Sequence, residues 1–529
     1  NTILGGLAGD ALTTGSYNVA MGYEALGSED TGNTSIAIGY YALSKQNNDS
    51  NNYNTAIGHS AGLEVTTGVQ NTLLGGLAGD ALTTGIGNVA IGYDALGSED
   101  GHGLNVAVGA SALSSLNAGA NAYNVAVGYQ AGLSVSTGTN NVLVGAHAGD
   151  SLTSGDYNIA IGKNSLQGED AHGRNVAIGH AALEDQNAGT DAYNIAIGYA
   201  AGKDITTGKE TVLIGGNAGL ALTTGIRNVA IGHAALQNED DHGYNVAIGN
   251  RSLQNLDAGA DGHNTAVGNQ SGQSMTTGVQ NSILGSMAGD ALTTGNDNVL
   301  VGKGAGSDLV EGSSNVAIGL SALGSEDAHG RNVAIGYQSL ILQNAGADAY
   351  NVAIGYQSGV NVSTGVSNII IGGFAGDALT TGSHNVGIGL FALSTEDTGS
   401  RNVAIGYEAL KTQNVDSDAY NVAVGHSAGL SVTTGVENVL IGGLAGDAIT
   451  TAKYNVAVGH SSLGANVQGW KNVAVGQNAL GTMNPSSPSD TYNVAIGYTA
   501  GASVTTGTHN AIIGGLAGDA LTDGIENVL

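Results

Sequence analysis

Four times the chain spells Glu-Asp-x-His: at Glu99/Asp100/His102, Glu169/Asp170/His172, Glu239/Asp240/His242 and Glu326/Asp327/His329. Two carboxylates and an imidazole within four residues are ligands for a divalent cation. Two related words, Glu29/Asp30 and Glu396/Asp397, lack the His. Closed metal sites draw on three or four converging ligands. Successive Glu-Asp-x-His words stand 70 or 87 residues apart, so the copies cannot pool their ligands within one chain. The expectation is therefore a solvated acidic turn. Glu99, Asp100, His102, Glu169, Asp170 and His172 lead the candidates for a cation such as calcium, and no other cofactor is expected.

Nothing else in the sequence reads as a catalytic constellation. There is no Cys, the 13 His are scattered, and every acidic pair recurs periodically. Enzymes keep one site rather than a series, so the chain is read as a non-enzyme. A β-helical enzyme acting on polysaccharide would need one coil that breaks the pattern with clustered acids and bases. The unit from Asn472 does break it, but with "TMNPSSPSDTY".

Thirteen Lys and Arg against 43 Asp and Glu give a formal charge of −30 over 529 residues. Without a basic patch to displace counterions, nucleic acid is excluded as a partner. A hydrophobic content of 41% is too high for disorder, and the 89 Gly follow no collagen triplet. No apolar run approaches the roughly 20 residues of a membrane span, and the first residues carry no signal-peptide pattern.

What positions these residues is a repeat. The word Asn-Val-Ala-Ile-Gly, or a variant, begins at positions 1, 18, 35 and 54, then 71, 88, 105 and 124, and so on to Asn510 and Asn527. Spacings of 17, 17, 19 and 17 make a block of 70 residues. The blocks are 1–70, 71–140, 141–210, 211–280, 281–367, 368–437, 438–509 and a partial 510–529; the fifth has one extra unit, from Asn298. The first letter is Asn in all units but those starting at Ser35 and Thr211, and the fifth is always Gly. The ninth is Leu in second and third units (Leu26, Leu43) and Gly in first and fourth (Gly62, Gly79).

A unit of 17 residues is too short for a helix pair, and a Gly in each opposes helix. The pattern predicts an all-β fold: one continuous parallel β-solenoid of about 30 coils, each with a strand at Asn-Val-Ala-Ile and a second short strand near the eighth and ninth residues. At about 4.8 Å per coil, that is a rod of roughly 145 Å. Val and Ile are expected to fill a dry core, with Ala on the outer face. Asn18, Asn88, Asn158 and Asn228 should stand in one column, a ladder of side-chain amides each donating to one neighbour and accepting from the other. Gly22, Gly92, Gly162 and Gly232 should mark the bend that follows the strand. The chain starts on the first letter of the repeat and stops three letters into another, so caps, anchors and targeting signals are expected outside it.

Words such as "NVAIGYQAG" (Asn351 to Gly359) and "NVAVGHSAG" (Asn421 to Gly429) resemble the head repeats of trimeric autotransporter adhesins. A similar word recurs in bacteriophage tail fibres. The resemblance covers essentially the whole chain, although coils of 17 to 19 residues are longer than the usual adhesin head repeat. It implies a left-handed parallel β-roll, a parallel homotrimer or higher filament, and a place outside the cell or on a cell or virion surface. An apolar outer strand face independently suits self-association.

The function expected is a rigid extracellular fibre or adhesin stalk. The alternative is a fibre that binds surface glycans. Its recognition loops would be the longer third-unit loops, ending at Tyr53, Tyr123, Tyr193, His263, Tyr350, Tyr420 and Tyr492. The Thr pairs of "TTG" (Thr66/Thr67, Thr83/Thr84) are read as turn residues. The Tyr columns are read as stacked packing.

Overall fold

The computed structural model describes residues 1–529. The chain is all-β without a helix, a parallel β-solenoid of about 30 turns. It divides into two compact units, residues 1–263 and 264–529. Each holds fifteen three-residue strands, and the second adds two shorter ones, Gly469–Trp470 and Ser489–Asp490, paired in parallel.

In the first unit the strand is the repeat word itself. Val89–Ile91 lies between Thr72–Leu74 and Val106–Val108, with Ala90 opposite Leu73 on one side and Ala107 on the other. The second unit repeats this register: Ala404 of Val403–Ile405 stands between Gly387 and Ala423. A slip of one residue would turn every buried side chain outward.

The period-two pattern is as expected, but its faces are reversed. Ala20, Ala90, Ala160 and Ala230 are fully buried, whereas Val89 and Ile91 are half-buried and Ile57, Ile161 and Ile441 are 36–39% exposed. The coil is narrow, and its interior takes the third residue of the unit from the strand and the eighth, ninth and twelfth from the other walls. In second and third units, where the strand offers Ala, the ninth residue of the same coil is Leu (Leu26, Leu96). In fourth units Ala56 and Ala126 go with Gly62 and Gly132, and Leu side chains of the two adjacent coils fill the space. Where the strand offers Leu, as at Leu143, the ninth is Gly. A Cβ on Gly149 would come 2.9 Å from Leu143. The core is thus an alternation of small and large groups at native packing density. In the second unit it runs through Ala404, Leu410, Ala423, Val432 and Leu440, with Trp470 against its flank.

The expected second strand does not form. Asp94 and Leu96 have φ of 57° and 55°, which no strand permits. That wall is a turn whose amides reach both neighbours: Asp94 N–H donates to Gly76 O and Leu96 N–H to Ala112 O, each at 3.0 Å. The fifth-position Gly is required twice over. Gly92 has φ of 134°, and a Cβ there would lie 2.5 Å from the Gly109 carbonyl oxygen. Gly22, Gly162 and Gly232 stand under the same constraint.

The Asn column exists, and its bonds are mostly to backbone. Asn141 Oδ1 accepts the Asn158 N–H at 2.9 Å, and its Nδ2 donates to Gly155 O at 2.8 Å. Such an Asn satisfies one buried amide of the next coil and one carbonyl at the end of its own. In third units the pattern changes: Asn105 Nδ2 turns back to Gly103 O at 3.3 Å, and Asn175 Nδ2 has no partner. Amide-to-amide bonds supplement this at some steps, as from Asn298 Nδ2 to Asn281 Oδ1 at 3.0 Å. Buried backbone groups need partners more than side chains need one another, which is why the ladder takes this form.

Candidate cation-binding turns

The twelfth residue of each coil lines the core. It is aliphatic and fully buried at Leu82, Leu116, Val135 and Leu152. In six second units that place is taken by Glu: Glu29, Glu99, Glu169, Glu239, Glu326 and Glu396, all fully buried. The expectation of a solvated turn therefore fails for Glu, although Asp100, one residue on, is exposed. The coil's register turns the twelfth residue inward whatever its chemistry. The clue lay in the sequence, since Glu falls where first and fourth units carry Leu, Val, Ile or Met.

Each Glu-Asp-x-His word closes on itself. Glu99 Oε1 accepts the His102 backbone N–H at 3.0 Å, and His102 Nδ1 lies 3.6 Å from the same oxygen. The Nδ1 to Oε1 separations are 3.8 Å at His172, 3.5 Å at His242 and 4.0 Å at His329. These are too long for hydrogen bonds. His102, His172, His242 and His329 Nδ1 have no hydrogen-bond partner, nor do Glu99 and Glu169 Oε2. In all four words one atom each of Glu, Asp and His lies within 4.8 Å of the others. Words in different blocks are not brought together.

Burial pushes the Glu169, Glu239 and Glu326 carboxyls up to about 7, against the pull of nearby backbone N–H donors. It raises Glu99 and Glu396 as well. Desolvation disfavours the charged form, and in the His-bearing turns no side-chain donor offsets it at hydrogen-bonding distance below 3 Å.

The two turns without His are built differently. Glu29 Oε1 accepts Gly32 N–H at 2.8 Å, and Oε2 accepts Gln46 Nε2 at 2.8 Å and Asn52 Nδ2 at 3.0 Å. Glu396 has Gly399 N–H at 2.7 Å and Gln413 Nε2 at 2.8 Å. His occupies the place of Gly32 and Gly399. A Cβ on Gly32 would come 2.4 Å from Glu29 Oε1 and 2.5 Å from Asn52 Nδ2, so a side chain there and this clamp exclude each other. In the His turns the place of Gln46 is held by Leu116, Gln186, Leu256 and Gln343. Gln186 Nε2 turns to Thr206 O at 3.4 Å, and Gln343 Nε2 has no partner.

The third-unit loops brace these turns. Asp191 Oδ1 accepts Gly173 N–H at 3.2 Å, and its other oxygen pairs with Arg174, which lies over the Tyr193 ring at 5.5 Å. The arrangement recurs at Arg331/Asp348/Tyr350 and Arg401/Asp418/Tyr420. A surface pocket of about 90 Å³ lies beside Tyr157, Arg174 and Asp191. That is well below the 300–1,000 Å³ of small-molecule sites. The Tyr residues after the fifth-position Gly stack locally, as in Tyr23 on Tyr40 at 5.5 Å and Tyr337 on Tyr356 at 5.1 Å. Thr83 Oγ1 donates to Asp100 O at 2.7 Å and Thr66 Oγ1 to Thr83 O at 3.2 Å, so these hydroxyls tie one turn to the next. No helix is long and apolar enough to cross a membrane.

Compared with protein-family models and with curated proteins, the chain matches none.

Proposed function

We propose that this chain is a structural segment of an extracellular fibre or adhesin stalk, and that it performs no catalysis. The observation that carries the reading is the repetition itself. Within each unit, coil after coil reuses one register and one Asn-to-backbone bond set, which makes a stiff scaffold from nearest-neighbour contacts alone. The acidic surface favours solubility. The resemblance of the repeat word to adhesin heads and phage fibres supports a place on a cell or virion surface.

The fibre assembles by self-association, as a parallel homotrimer, through the outward Val and Ile columns. That face is the apolar one, with Ile57, Ile161, Ile197 and Ile441 each more than a third exposed. Light scattering of the full chain tests this: a trimer is expected at micromolar concentration. A monomer that keeps its Ile columns in water contradicts it. Glycan binding by the third-unit loops is the second reading. The recurring Arg–Asp–Tyr groupings favour a bracing role for those loops. Shortening them to the 17-residue pattern, with folding retained and attachment lost, would favour recognition instead.

A further inference from the structure

We propose that each Glu-Asp-x-His turn is a binding site for a divalent transition-metal cation of the zinc class, held by the Glu carboxylate, the adjacent Asp carboxylate and His Nδ1. The four candidate sites are Glu99/Asp100/His102, Glu169/Asp170/His172, Glu239/Asp240/His242 and Glu326/Asp327/His329.

Four observations converge. First, the turn holds polar atoms with no partner. Glu99 and Glu169 are fully buried with Oε2 unpartnered, and the imidazole Nδ1 beside each is unpartnered too. A native fold leaves such atoms only where something else satisfies them. Second, the spacing fits a metal and not a hydrogen bond. Bonds of about 2.0–2.2 Å at a tetrahedral angle put two ligand atoms about 3.3–3.6 Å apart. The Nδ1 to Oε1 separations at His102 and His242, 3.6 and 3.5 Å, fall in that range, and those at His172 and His329, 3.8 and 4.0 Å, lie just beyond it.

Third, the chain contains its own control. Where the His is absent, at Glu29 and Glu396, a Gln amide clamps the carboxylate at 2.8 Å. Where the His is present, the Gln is replaced by Leu116 or Leu256, or its Nε2 does not reach the Glu. The donor lost with the amide clamp is replaced by a dication. Two carboxylates neutralise its charge, which offsets the cost of burying it. Fourth, the site opens outward. The imidazole is a quarter to a third exposed and Asp100 is at the surface, which leaves an entry path and a fourth position for water. The imidazole ligand selects zinc, nickel or cobalt over calcium, which takes six to eight oxygens.

The test uses the full chain, stripped with chelator and titrated calorimetrically with zinc chloride and, separately, calcium chloride at neutral pH. The comparison is the quadruple variant His102→Gly, His172→Gly, His242→Gly, His329→Gly, which restores the residue found at Gly32 and Gly399 and keeps every carboxylate. Circular dichroism confirms that it folds. Four saturable zinc equivalents are expected in the native chain, with none in the variant, and a tetrahedral d–d spectrum with cobalt(II). Absence of saturable zinc binding in the native chain overturns the proposal. So does undiminished binding in the variant, which would place the metal on surface carboxylates. Should the variant fail to fold, the single variants His102→Asn and His172→Asn must each lower the stoichiometry, and unchanged stoichiometry overturns the proposal equally.

Discussion

Two turns at the same place in the coil, one at Glu29 and one at Glu99, bury the same carboxylate and treat it in opposite ways. Around Glu29, Gly32 leaves room for Asn52 and Gln46 to donate. Around Glu99, His102 fills that room, Leu116 stands in place of Gln46, and one oxygen is left without a donor. The backbone is common to both: Gly32 N–H and His102 N–H each donate to their Glu. A solenoid can thus vary the chemistry of one coil without disturbing its neighbours, because the coil's register is fixed by the Asn and Gly columns. A buried charge without a partner is costly, and of the two only the Glu29 turn supplies side-chain donors, the Gln46 and Asn52 amides.

The largest expected effect comes from removing the amide clamp. Gln46→Leu should destabilise the Glu29 turn by about 3 kcal/mol, since a buried carboxylate loses a charge-assisted bond and Asn54 loses an acceptor. Gln186→Leu, which removes no bond to Glu169, should cost about 1 kcal/mol. Hydrogen exchange at the Gly32 and Gly173 amides would report the two losses locally. Equal losses would break the comparison.

Gly32→His should cost about 2 kcal/mol, because its Cβ meets Glu29 and Asn52 at under 3 Å. Adding Asn52→Ala and Gln46→Leu gives this turn the side chains of the other type, and the Asn48 carbonyl, 2.5 Å from the new Cβ, must then shift to admit the imidazole. The triple variant should gain one zinc equivalent by calorimetry, and no gain would show that the His turn needs more than these three positions.

Without metal the His-bearing turns should also make stability depend on pH. Glu169, Glu239 and Glu326 sit near 7 folded against an ordinary 4.5 unfolded. The folded chain therefore holds more protons between these values. Stability is full below about 4.5, falls as pH rises to about 7, and is level above. In chelator, the midpoint of thermal unfolding should follow that course. Replacing the three Glu by Gln should flatten it.

The smallest effect belongs to the surface. Arg174→Ala breaks an exposed, solvent-screened pair with Asp191 and should leave stability almost unchanged. The Gly173 to Asp191 bond should still hold the loop. A larger loss would mean that the loop, rather than the coil, orders the His172 turn.

Much of the fold was legible because a repeat must show each neighbour the same residue. The unit length, the strand word, the Asn column and the Gly bend all follow from period alone. The side of the strand that faces inward did not, since Val, Ala and Ile are all apolar and period two does not say which set is interior. The deciding information was the covariation of Ala90 with Leu96 and of Leu73 with Gly79, a packing constraint. The second wall was misjudged as strand because left-handed φ at Asp94 and Leu96 leaves no compositional mark. The cation turns were visible as a motif, yet their burial was not. It followed from the twelfth position being apolar in first and fourth units and buried in all but the two end coils, which becomes plain only when coils are aligned in register.

Anomalous diffraction at the zinc edge, from crystals of the full chain grown with zinc, tests the contrast between the two turns most directly. Peaks beside Nδ1 of His102, His172, His242 and His329, with none at Glu29 or Glu396, are the predicted result. No peak at any His turn, or equal peaks at Glu29 and Glu396, would contradict it.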